Sequence, residues 1–250
     1  MRKAMVLAAG LGTRLRPLTD NKPKALVEAG GKTLLEHTLL KLKESGFGFI
    51  VVNVHHFAWQ ITEFLRTNDN FGLHVEISDE SGMLLDTGGA IKKACPLFEG
   101  SPFLIHNVDI MSNADLAALY DEQSTRNAAA LLLVSKRESS RKLLFAGDGR
   151  LCGWRNETTG ETKLPWGNKT PGLTQDFAFS GIHVFSPSLY GRMAKYPDKF
   201  SIIDFYLDAC KEETVYASIH DKLKLLDVGK PDTLHSPLVE EFYLHGKTTG

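Results

Sequence analysis

Hydrophobic and polar residues follow two periods along the first half of the chain. Short apolar runs rich in β-branched residues predict strands, whereas apolar residues three or four positions apart predict helices. The predicted strands are Lys3–Ala8, Phe49–Val54, His74–Ser78, Phe103–Asn107 and Ala128–Ser135. The helices predicted between them are Leu34–Ser45, Ala58–Arg66, Gly89–Ala94 and Asp115–Glu122. This alternation predicts an α/β fold with a doubly wound, mostly parallel, Rossmann-like sheet in three α/β/α layers.

The second half of the chain is less regular. Its apolar runs predict strands at Leu151–Trp154, Phe179–Phe185 and Leu223–Asp227, and helices at Ile202–Glu212 and Leu234–Leu244. Residues 156–175 are polar and rich in Gly, Pro and Thr, which predicts a loop or hairpin over an active site. A length of 250 residues is ordinary for one α/β domain, so we expect a single domain, 1–250, with an insertion around 150–185.

Composition narrows the possible environment and partners. Charged residues make up 24% of the chain and the formal net charge is -1, so neither a nucleic-acid surface nor a membrane partner is expected. The three cysteines, Cys95, Cys152 and Cys210, are far apart and odd in number, which favours a reducing compartment. The apolar run after Met1 is too short for a signal peptide. We therefore expect a cytoplasmic protein.

A glycine turn and a group of cations follow the first predicted strand. Residues 7–24 read LAAGLGTRLRPLTDNKPK. Gly10 and Gly12 allow backbone N–H groups to approach a polyphosphate closely, and Arg14 and Lys24 add mobile positive charge at the same place. The turn does not match a dinucleotide fingerprint, because Leu15 stands at its last glycine position. Gly31-Lys32-Thr33 resembles the end of a Walker A loop, but Leu26 stands where the first glycine of that motif would be. The full string indicates a nucleotide site.

Five segments in order resemble the sugar-1-phosphate nucleotidyltransferase family, whose members are also called nucleotide-sugar pyrophosphorylases. The segments are AAGLGTRLRPLT with Pro23-Lys24, then LDTGGA at 85–90, the strand Phe103–Asn107 leading to Asp109, FSGI at 179–182, and LDVG at 226–229. The resemblance extends over most of the chain. It implies transfer of a nucleoside monophosphate from an NTP to a sugar-1-phosphate, giving an NDP-sugar and pyrophosphate. It also implies Mg²⁺ as cofactor.

The resemblance assigns a role to each matching residue. Arg14 and Lys24 would be catalytic, with Arg14 favouring pyrophosphate departure and Lys24 neutralising a phosphate, and Asp109 and Asp227 would hold the metal. The nucleotide would contact Ala8, Gly10, Leu11, Gly12, Thr13, Glu80, Thr87, Gly88 and Gly89. The sugar phosphate would contact Asn107, Ser180 and Gly181, with the insertion around 150–185 on the sugar side. Asp86 or Thr87 could also serve as an N-cap for the following helix.

Departures from the family pattern leave some roles open. Val108 stands where the family usually has glycine before the metal aspartate. The segment between Glu80 and Leu85 is one residue longer than in the usual family pattern. The Glu-Lys pair that the family usually has near mid-chain cannot be recognised, because no lysine follows Glu157. Arg155 or Lys163 would supply the positive charge of the missing lysine.

Substrate choice is open as well. The segments LDTGGAI and NVDI are most similar to N-acetylmuramate-1-phosphate uridylyltransferases, which makes UTP and a hexosamine- or muramate-type sugar the first choice. Mannose- or heptose-1-phosphate guanylyltransferase and phosphocholine cytidylyltransferase are the enzymatic alternatives. A regulatory nucleotide-binding subunit is the non-enzymatic alternative, although Arg14, Lys24, Asp109 and Asp227 are all present. An NAD-dependent oxidoreductase would lack its dinucleotide fingerprint.

Overall fold

The computed structural model describes residues 1–167 and 174–244. Contacts between α-carbons divide them into two compact units. The first unit contains Met1–Leu84, His106–Leu116 and the residues from Leu223 onward, and the second contains Leu85–Ile105 and Ala117–Lys222. The predicted single domain stays a prediction, and each unit is described by itself.

Three parallel strands form the sheet of the first unit. They are β1 (Arg2–Leu7), β4 (Phe47–Val54) and β5 (His74–Asp79), and short β2 (Glu28–Ala29) pairs with β3 (Lys32–Thr33). Helix α1 (Leu34–Glu44) leads into β4, and α2 (Ala58–Thr67) leads towards β5. β1 pairs with β4 so that Leu7 lies opposite Asn53, and β4 pairs with β5. Because all three strands are parallel, their carboxyl ends lie at one edge of this sheet.

Helix α1 shows how local sequence sets these elements. Thr33 caps it, since its hydroxyl accepts a hydrogen bond from the Glu36 amide at 3.1 Å. Gly46, with φ of 80°, follows its last turn, as a helix-stopping glycine should. Leu35, Leu39 and Leu42 are fully buried along one face. The helix predicted from this spacing is confirmed, and it packs on β4.

A two-stranded ladder completes the first unit. β6 (Phe103–Asn107) ends as the chain enters this unit, and β7 (Ile110–Ser112) then pairs antiparallel with β14 (Leu225–Asp227). The helix predicted at Leu234–Leu244 is divided in two, α7 (Pro231–Leu234) and α8 (Pro237–Leu244). Pro237 explains the division, because proline has no amide hydrogen to continue a helix but is well tolerated in its first turn.

The second unit carries a mixed sheet. Its strands are β8 (Ala130–Ser135), β9 (Arg141–Ala146), β10 (Leu151–Asn156), β11 (Thr162–Lys163), β12 (Thr174–Phe185) and β13 (Val215–Ile219). β13 is parallel to β8, and the other pairs are antiparallel. β12 spans two partners, pairing first with β9 and then with β8. β10 and β11 form the predicted hairpin, and residues 168–173 of the predicted insertion lie outside the described residues.

Helices flank this sheet. They are α3 (Asp86–Ala94), α4 (Leu116–Thr125, mostly in this unit), α5 (Tyr190–Met193) and α6 (Ile202–Ala209). Every residue of β8 is buried, and the core beside it is aromatic, with Phe185, Phe205 and Tyr206 in mutual ring contact. The predicted α/β fold with flanking helices is confirmed, and the sheet predicted to be mostly parallel is parallel in the first unit and mixed in the second. Within the described residues, every helix is too short or too polar to traverse a bilayer.

The three cysteines are free thiols, and Cys95 and Cys152 are buried. Burial raises the pKa of Cys95 to about 12 and that of Cys152 to about 11. Cys210 is half-buried, and burial raises its pKa to about 12. All three therefore remain protonated at neutral pH, and a thiol without thiolate character is a poor nucleophile.

Candidate active site

The chain after β1 folds back on itself at Gly12. Gly12 has φ of 65°, and a Cβ at this position would lie 2.9 Å from both Lys24 Cβ and Thr19 Cγ2. The Thr19 hydroxyl donates to the Gly12 carbonyl at 2.9 Å, which closes the loop. Glycine is therefore required here for conformation and for space. The fold-back brings Lys24 alongside the glycine turn, while Gly10, Leu11 and Thr13 remain exposed.

Two cations and two carboxylates converge in the first unit. Lys24 Nζ hydrogen-bonds Asp109 Oδ2 in a pair whose side chains are only 12% and 13% exposed. Arg14 Nη1 lies 3.7 Å from Asp227 Oδ2, and these two side chains are 55% and 36% exposed. The inner pair is thus shielded from water, which strengthens its Coulomb interaction, whereas the outer pair is open to solvent. The four charged residues predicted to act together do lie together.

Gly229 lies at the centre of this charged cluster. A Cβ on Gly229 would be 2.7 Å from Asp109 Oδ2 and 2.9 Å from both Asp227 Oδ1 and Lys24 Nζ. The Gly229 amide donates to Asp227 Oδ1 at 2.9 Å and orients that carboxylate. Any side chain at 229 would push the charged groups apart. Gly229 is therefore a site residue. It belongs to the LDVG motif, but the sequence analysis gave it no role.

Backbone hydrogen bonds fix the two aspartates relative to each other. The Val228 amide donates to the Asp109 carbonyl at 2.9 Å, and Asp227 lies opposite Ile110 in the β7–β14 ladder. The Thr233 hydroxyl donates to the Asp227 carbonyl at 2.7 Å. Val108, which replaces the usual glycine, is buried, and its amide donates to the Leu7 carbonyl at 3.2 Å. Backbone contacts thus hold Asp227, the last residue of β14, beside Asp109, which lies in the turn between β6 and β7.

The donor set is compatible with Mg²⁺. This ion typically takes one or two protein carboxylates and fills its other positions with water and phosphate oxygens. Asp109 and Asp227 would supply those carboxylates, whereas the described residues contain no cluster of three or more His, Cys, Asp or Glu side chains. His106, three residues before Asp109, contributes no charge at neutral pH. Burial lowers its pKa to about 4, and its Nδ1 lies 2.9 Å from the Asn107 carbonyl.

A buried polar pair supports the start of the glycine loop. Asn53 Oδ1 accepts hydrogen bonds from the amides of Ala8 and Ala9 at 2.6 and 3.3 Å, and Asn53 Nδ2 donates to Glu80 Oε1 at 2.7 Å. The Ala8 amide is therefore used inside the protein. Glu80, predicted to contact the nucleotide, is 2% exposed, and its carboxylate faces Asn53. Sequence reasoning missed Asn53, whose only signal is an amide within a β-branched strand.

The glycines of the LDTGGA segment are packed against backbone of the second unit. The Gly88 amide donates to the Phe200 carbonyl at 2.9 Å, and a Cβ on Gly88 would lie 2.3 Å from the Phe200 ring. A Cβ on Gly89 would lie 2.0 Å from the Asp198 carbonyl oxygen. Both glycines are thus required by close packing within the protein. Contact with a nucleotide stays a prediction.

The capping expectation for this segment is met only in part: Asp86 Oδ1 accepts a hydrogen bond from the Thr87 amide at 2.6 Å, but neither Asp86 nor Thr87 occupies the N-cap position. Helix α3 begins at Asp86, three residues before the predicted start, and its N-cap is Leu85, which makes no side-chain hydrogen bond. The Thr87 hydroxyl instead accepts from the Ile202 amide at 3.0 Å, at the start of α6. The Thr87 hydroxyl therefore links α3 to α6, which pack against each other, instead of capping α3.

The residues predicted on the sugar side have different surroundings. Ser180 and Gly181 lie at an irregularity of β12, where the register with β8 shifts and Gly181 has φ of 71°. Ser180 is 1% exposed, and its hydroxyl has no hydrogen-bond partner within the described part of the chain. Asn107, in the first unit, is half-buried at the end of β6. Their contact with a sugar phosphate stays a prediction.

The two candidates for the mid-chain cation are both engaged with carboxylates. Arg155 pairs with Glu157 at 2.7 Å and lies 3.9 Å from Asp176. Lys163 pairs with Asp204 at 2.7 Å, and its ammonium lies 5.2 Å from the centre of the Trp154 ring. The structure therefore leaves both alternatives open.

Comparison with known proteins agrees with this geometry. The family model described as nucleotidyl transferase matches residues 3–143. The N-acetylmuramate alpha-1-phosphate uridylyltransferase of Caulobacter vibrioides is 43% identical over 143 residues, which are 54% of this chain and 59% of the relative. A probable mannose-1-phosphate guanylyltransferase of Oryza sativa is 27% identical over 92% of this chain and 62% of that protein. The chain thus spans roughly three fifths of the length of these relatives.

Solved structures share the fold. HddC from Yersinia pseudotuberculosis is 25% identical with a TM-score of 0.73, over 97% of this chain and 100% of that one. The inositol-1-phosphate CTP transferase from T. maritima has a TM-score of 0.78 at 18% identity, over 100% and 98% of the two chains. The glycine loop, the charged cluster and the family match lead to one conclusion: the chain belongs to the nucleotidyl transferase family.

Proposed function

We propose that this protein is a Mg²⁺-dependent nucleotidyltransferase that converts an NTP and a sugar-1-phosphate into an NDP-sugar and pyrophosphate. The observation that carries the proposal is the convergence of Lys24, Arg14, Asp109 and Asp227 around Gly229. In the reaction, a sugar-phosphate oxygen forms a bond to the α-phosphorus of the NTP. The bond from that phosphorus to the bridging oxygen breaks, and pyrophosphate leaves with the electron pair.

The chain's own residues would position and neutralise the reactants. The backbone amides of the exposed residues Gly10, Leu11 and Thr13 would bind phosphate oxygens, as glycine turns after strands commonly do. Lys24 would supply a fixed, shielded positive charge, and the more exposed Arg14 would offset the charge that develops on pyrophosphate. Positioning and charge neutralisation account for most catalysis of phosphoryl-type transfer, so no covalent intermediate is required.

Charge balance supports a metal requirement. Within the cluster, two cations offset two carboxylates, so the cluster alone carries no excess positive charge for two anionic substrates. Asp109 and Asp227 would hold Mg²⁺, which would supply the positive charge that the cluster lacks.

Relatives guide the choice of substrate. The 43% identity to a protein named as an N-acetylmuramate alpha-1-phosphate uridylyltransferase supports UTP with a muramate- or hexosamine-type sugar-1-phosphate. The mannose-1-phosphate guanylyltransferase match covers more of the chain at lower identity and supports GTP with mannose-1-phosphate as the second candidate. The three free thiols support a reducing compartment, and we place the enzyme in the cytoplasm.

A pyrophosphate-release screen tests the proposal. Purified protein would be assayed with UTP, GTP, CTP, ATP or dTTP, each crossed with N-acetylmuramate-, glucosamine-, mannose- and heptose-1-phosphate and with phosphocholine. We expect turnover for one base and one sugar class, with UTP and N-acetylmuramate-1-phosphate highest, and loss of turnover in EDTA with recovery on adding Mg²⁺. Nucleotide binding without turnover in every combination would instead identify a binding subunit, and full activity in EDTA would refute the metal role.

A further inference from the structure

We infer that Asn53 and Glu80 form a positioning pair that holds the start of the glycine loop, with Glu80 acting through Asn53 rather than on a nucleobase. The inference deepens the proposed function and rests on it for its catalytic consequence. Both side chains lie in the first unit, 3% and 2% exposed, and are joined by a 2.7 Å hydrogen bond.

The loop needs support at Ala8 and Ala9 because β1 ends just before them. The β1–β4 ladder stops at the pair Leu7 and Asn53, so the next two amides lack ladder partners. Ala8 and Ala9 are 2% and 6% exposed, which means that water cannot readily replace those partners. Asn53 Oδ1 accepts from both amides and so satisfies two buried donors that would otherwise be costly.

The Asn53 amide has one orientation that satisfies its neighbours on both sides. The loop presents only N–H donors, so the atom that faces Ala8 and Ala9 must be Oδ1. The NH₂ of Asn53 then faces the Glu80 carboxyl oxygen, which accepts from it. The reversed amide would place acceptor against acceptor on one side and donor against donor on the other. Glu80 therefore holds the Asn53 amide from the side opposite the loop.

Glu80 is itself anchored at the ends of β4 and β5. Its amide donates to the Val54 carbonyl at 2.7 Å, and its carbonyl lies 2.7 Å from His55 Nδ1 and accepts from the Met83 amide at 3.0 Å. These three contacts fix the Glu80 backbone and thereby the position from which its carboxyl group reaches Asn53. The network thus links the ends of β1, β4 and β5, where the proposed phosphate-binding loop begins.

A polarity swap tests the pair. In Asn53→Asp the new carboxyl group can still accept from the loop amides, but it meets Glu80 as a second acidic group in a buried site. In Glu80→Gln the new amide accepts from Asn53 Nδ2 in only one of its two orientations, so the support of Asn53 from this side is weaker. In the double variant the new amide at 80 donates to the new carboxylate at 53, which accepts from Ala8 and Ala9. The original pattern and net charge are restored.

Two measurements are made on all three variants and wild type. The first is kcat and KM for the NTP, for which we expect a loss of kcat/KM of about tenfold in Glu80→Gln and about a hundredfold in Asn53→Asp. The double variant should return to within about tenfold of wild type. The second is hydrogen exchange of the Ala8 and Ala9 amides, which should be faster in each single variant and slow again in the double variant. Glu63→Gln, at an exposed carboxylate of α2 paired with Arg66, is the matched control and should change neither.

Each outcome decides the inference. Rescue in the double variant supports it, including the case in which Asn53→Asp does not fold but the double variant does. Independent losses without rescue, or a double variant that does not fold, overturn it. A change in NTP preference that Glu80→Gln causes whatever stands at 53 would make Glu80 a base-reading residue. Should wild type turn over no substrate, the proposed function fails, whereas amide exchange still tests the positioning pair.

Discussion

His183 on β12 gives the structure a titration that can be measured without knowing the substrate. Its side chain is 1% exposed, and both ring nitrogens lack a hydrogen-bond partner within the described ranges. Aromatic rings surround it, with ring centres 5.4 Å from Phe179 and 5.5 Å from Tyr206. Burial alone lowers the pKa of His183 to about 3, because a charged imidazolium would be desolvated among apolar groups.

The size of the effect follows from linkage between protonation and folding. In the unfolded chain the imidazole titrates near the ordinary histidine pKa of 6.5, whereas in the folded protein it stays neutral down to about pH 3. The unfolded state therefore binds more protons below pH 6.5, and the folded state loses stability as the pH falls from there towards 3. Between pH 7.5 and pH 5.0 this one group should remove about 2 kcal/mol from the free energy of unfolding.

Urea unfolding at pH 7.5 and pH 5.0 measures that difference. In His183→Phe the titrating group is gone, so the variant should lose about 2 kcal/mol less than wild type between the two pH values. The packing effect of the substitution is present at both pH values and cancels in the comparison. Equal pH losses in wild type and His183→Phe would refute the reasoning.

The remaining predictions concern the charged cluster and one close packing contact. Lys24→Ala should lower kcat by about 10²–10³ in the pyrophosphate-release assay, whereas Lys211→Ala, at an exposed ion pair, should leave kcat unchanged and controls for loss of a lysine. Asp109→Asn should abolish Mg²⁺-stimulated turnover while the protein still unfolds cooperatively, and Mg²⁺-stimulated activity at the wild-type level would remove Asp109 from the metal site. Gly89→Ala should lower the free energy of unfolding by about 3 kcal/mol through overpacking, since its Cβ would meet a backbone carbonyl at 2.0 Å. Gly191→Ala, where nothing lies within 4 Å of the added Cβ, should be near neutral, and equal effects of the two glycine substitutions would contradict this packing argument.

Sequence pattern was most informative where a strand or helix is decided by its own residues. The β-branched run of β4 and the leucine spacing of α1 were predicted nearly to their ends. Strands β7 and β13 were missed, because they are three and five residues long and their partners β14 and β8 are remote in the chain. β9 was missed as well, although its hairpin partner β10 follows closely. β propensity depends on such tertiary partners, so a short run gives little signal by itself.

Glycines also show what a sequence can and cannot predict without the tertiary structure. The GlyGly pair at 88 and 89 correctly indicates that something approaches the backbone closely, but the sequence cannot say what. The structure identifies the neighbours as Phe200 and the Asp198 carbonyl, more than a hundred residues later in the chain. A ligand and a packed segment make the same demand on a glycine, namely the absence of a Cβ.

The assembly of the charged cluster required information that no single segment holds. Lys24, Asp109 and Gly229 come from three separate stretches of the chain that belong to one compact unit. Each stretch can be matched to a motif by itself, but only the β7–β14 ladder explains why Asp227 lies beside Asp109, and only the fold-back at Gly12 explains how Lys24 reaches Asp109. The ladder and the fold-back meet at Gly229, because a Cβ there would approach Asp109, Asp227 and the Lys24 ammonium together. Gly229→Ala should therefore displace all three charged groups and impair turnover in the pyrophosphate-release assay, and wild-type turnover in this variant would contradict the arrangement.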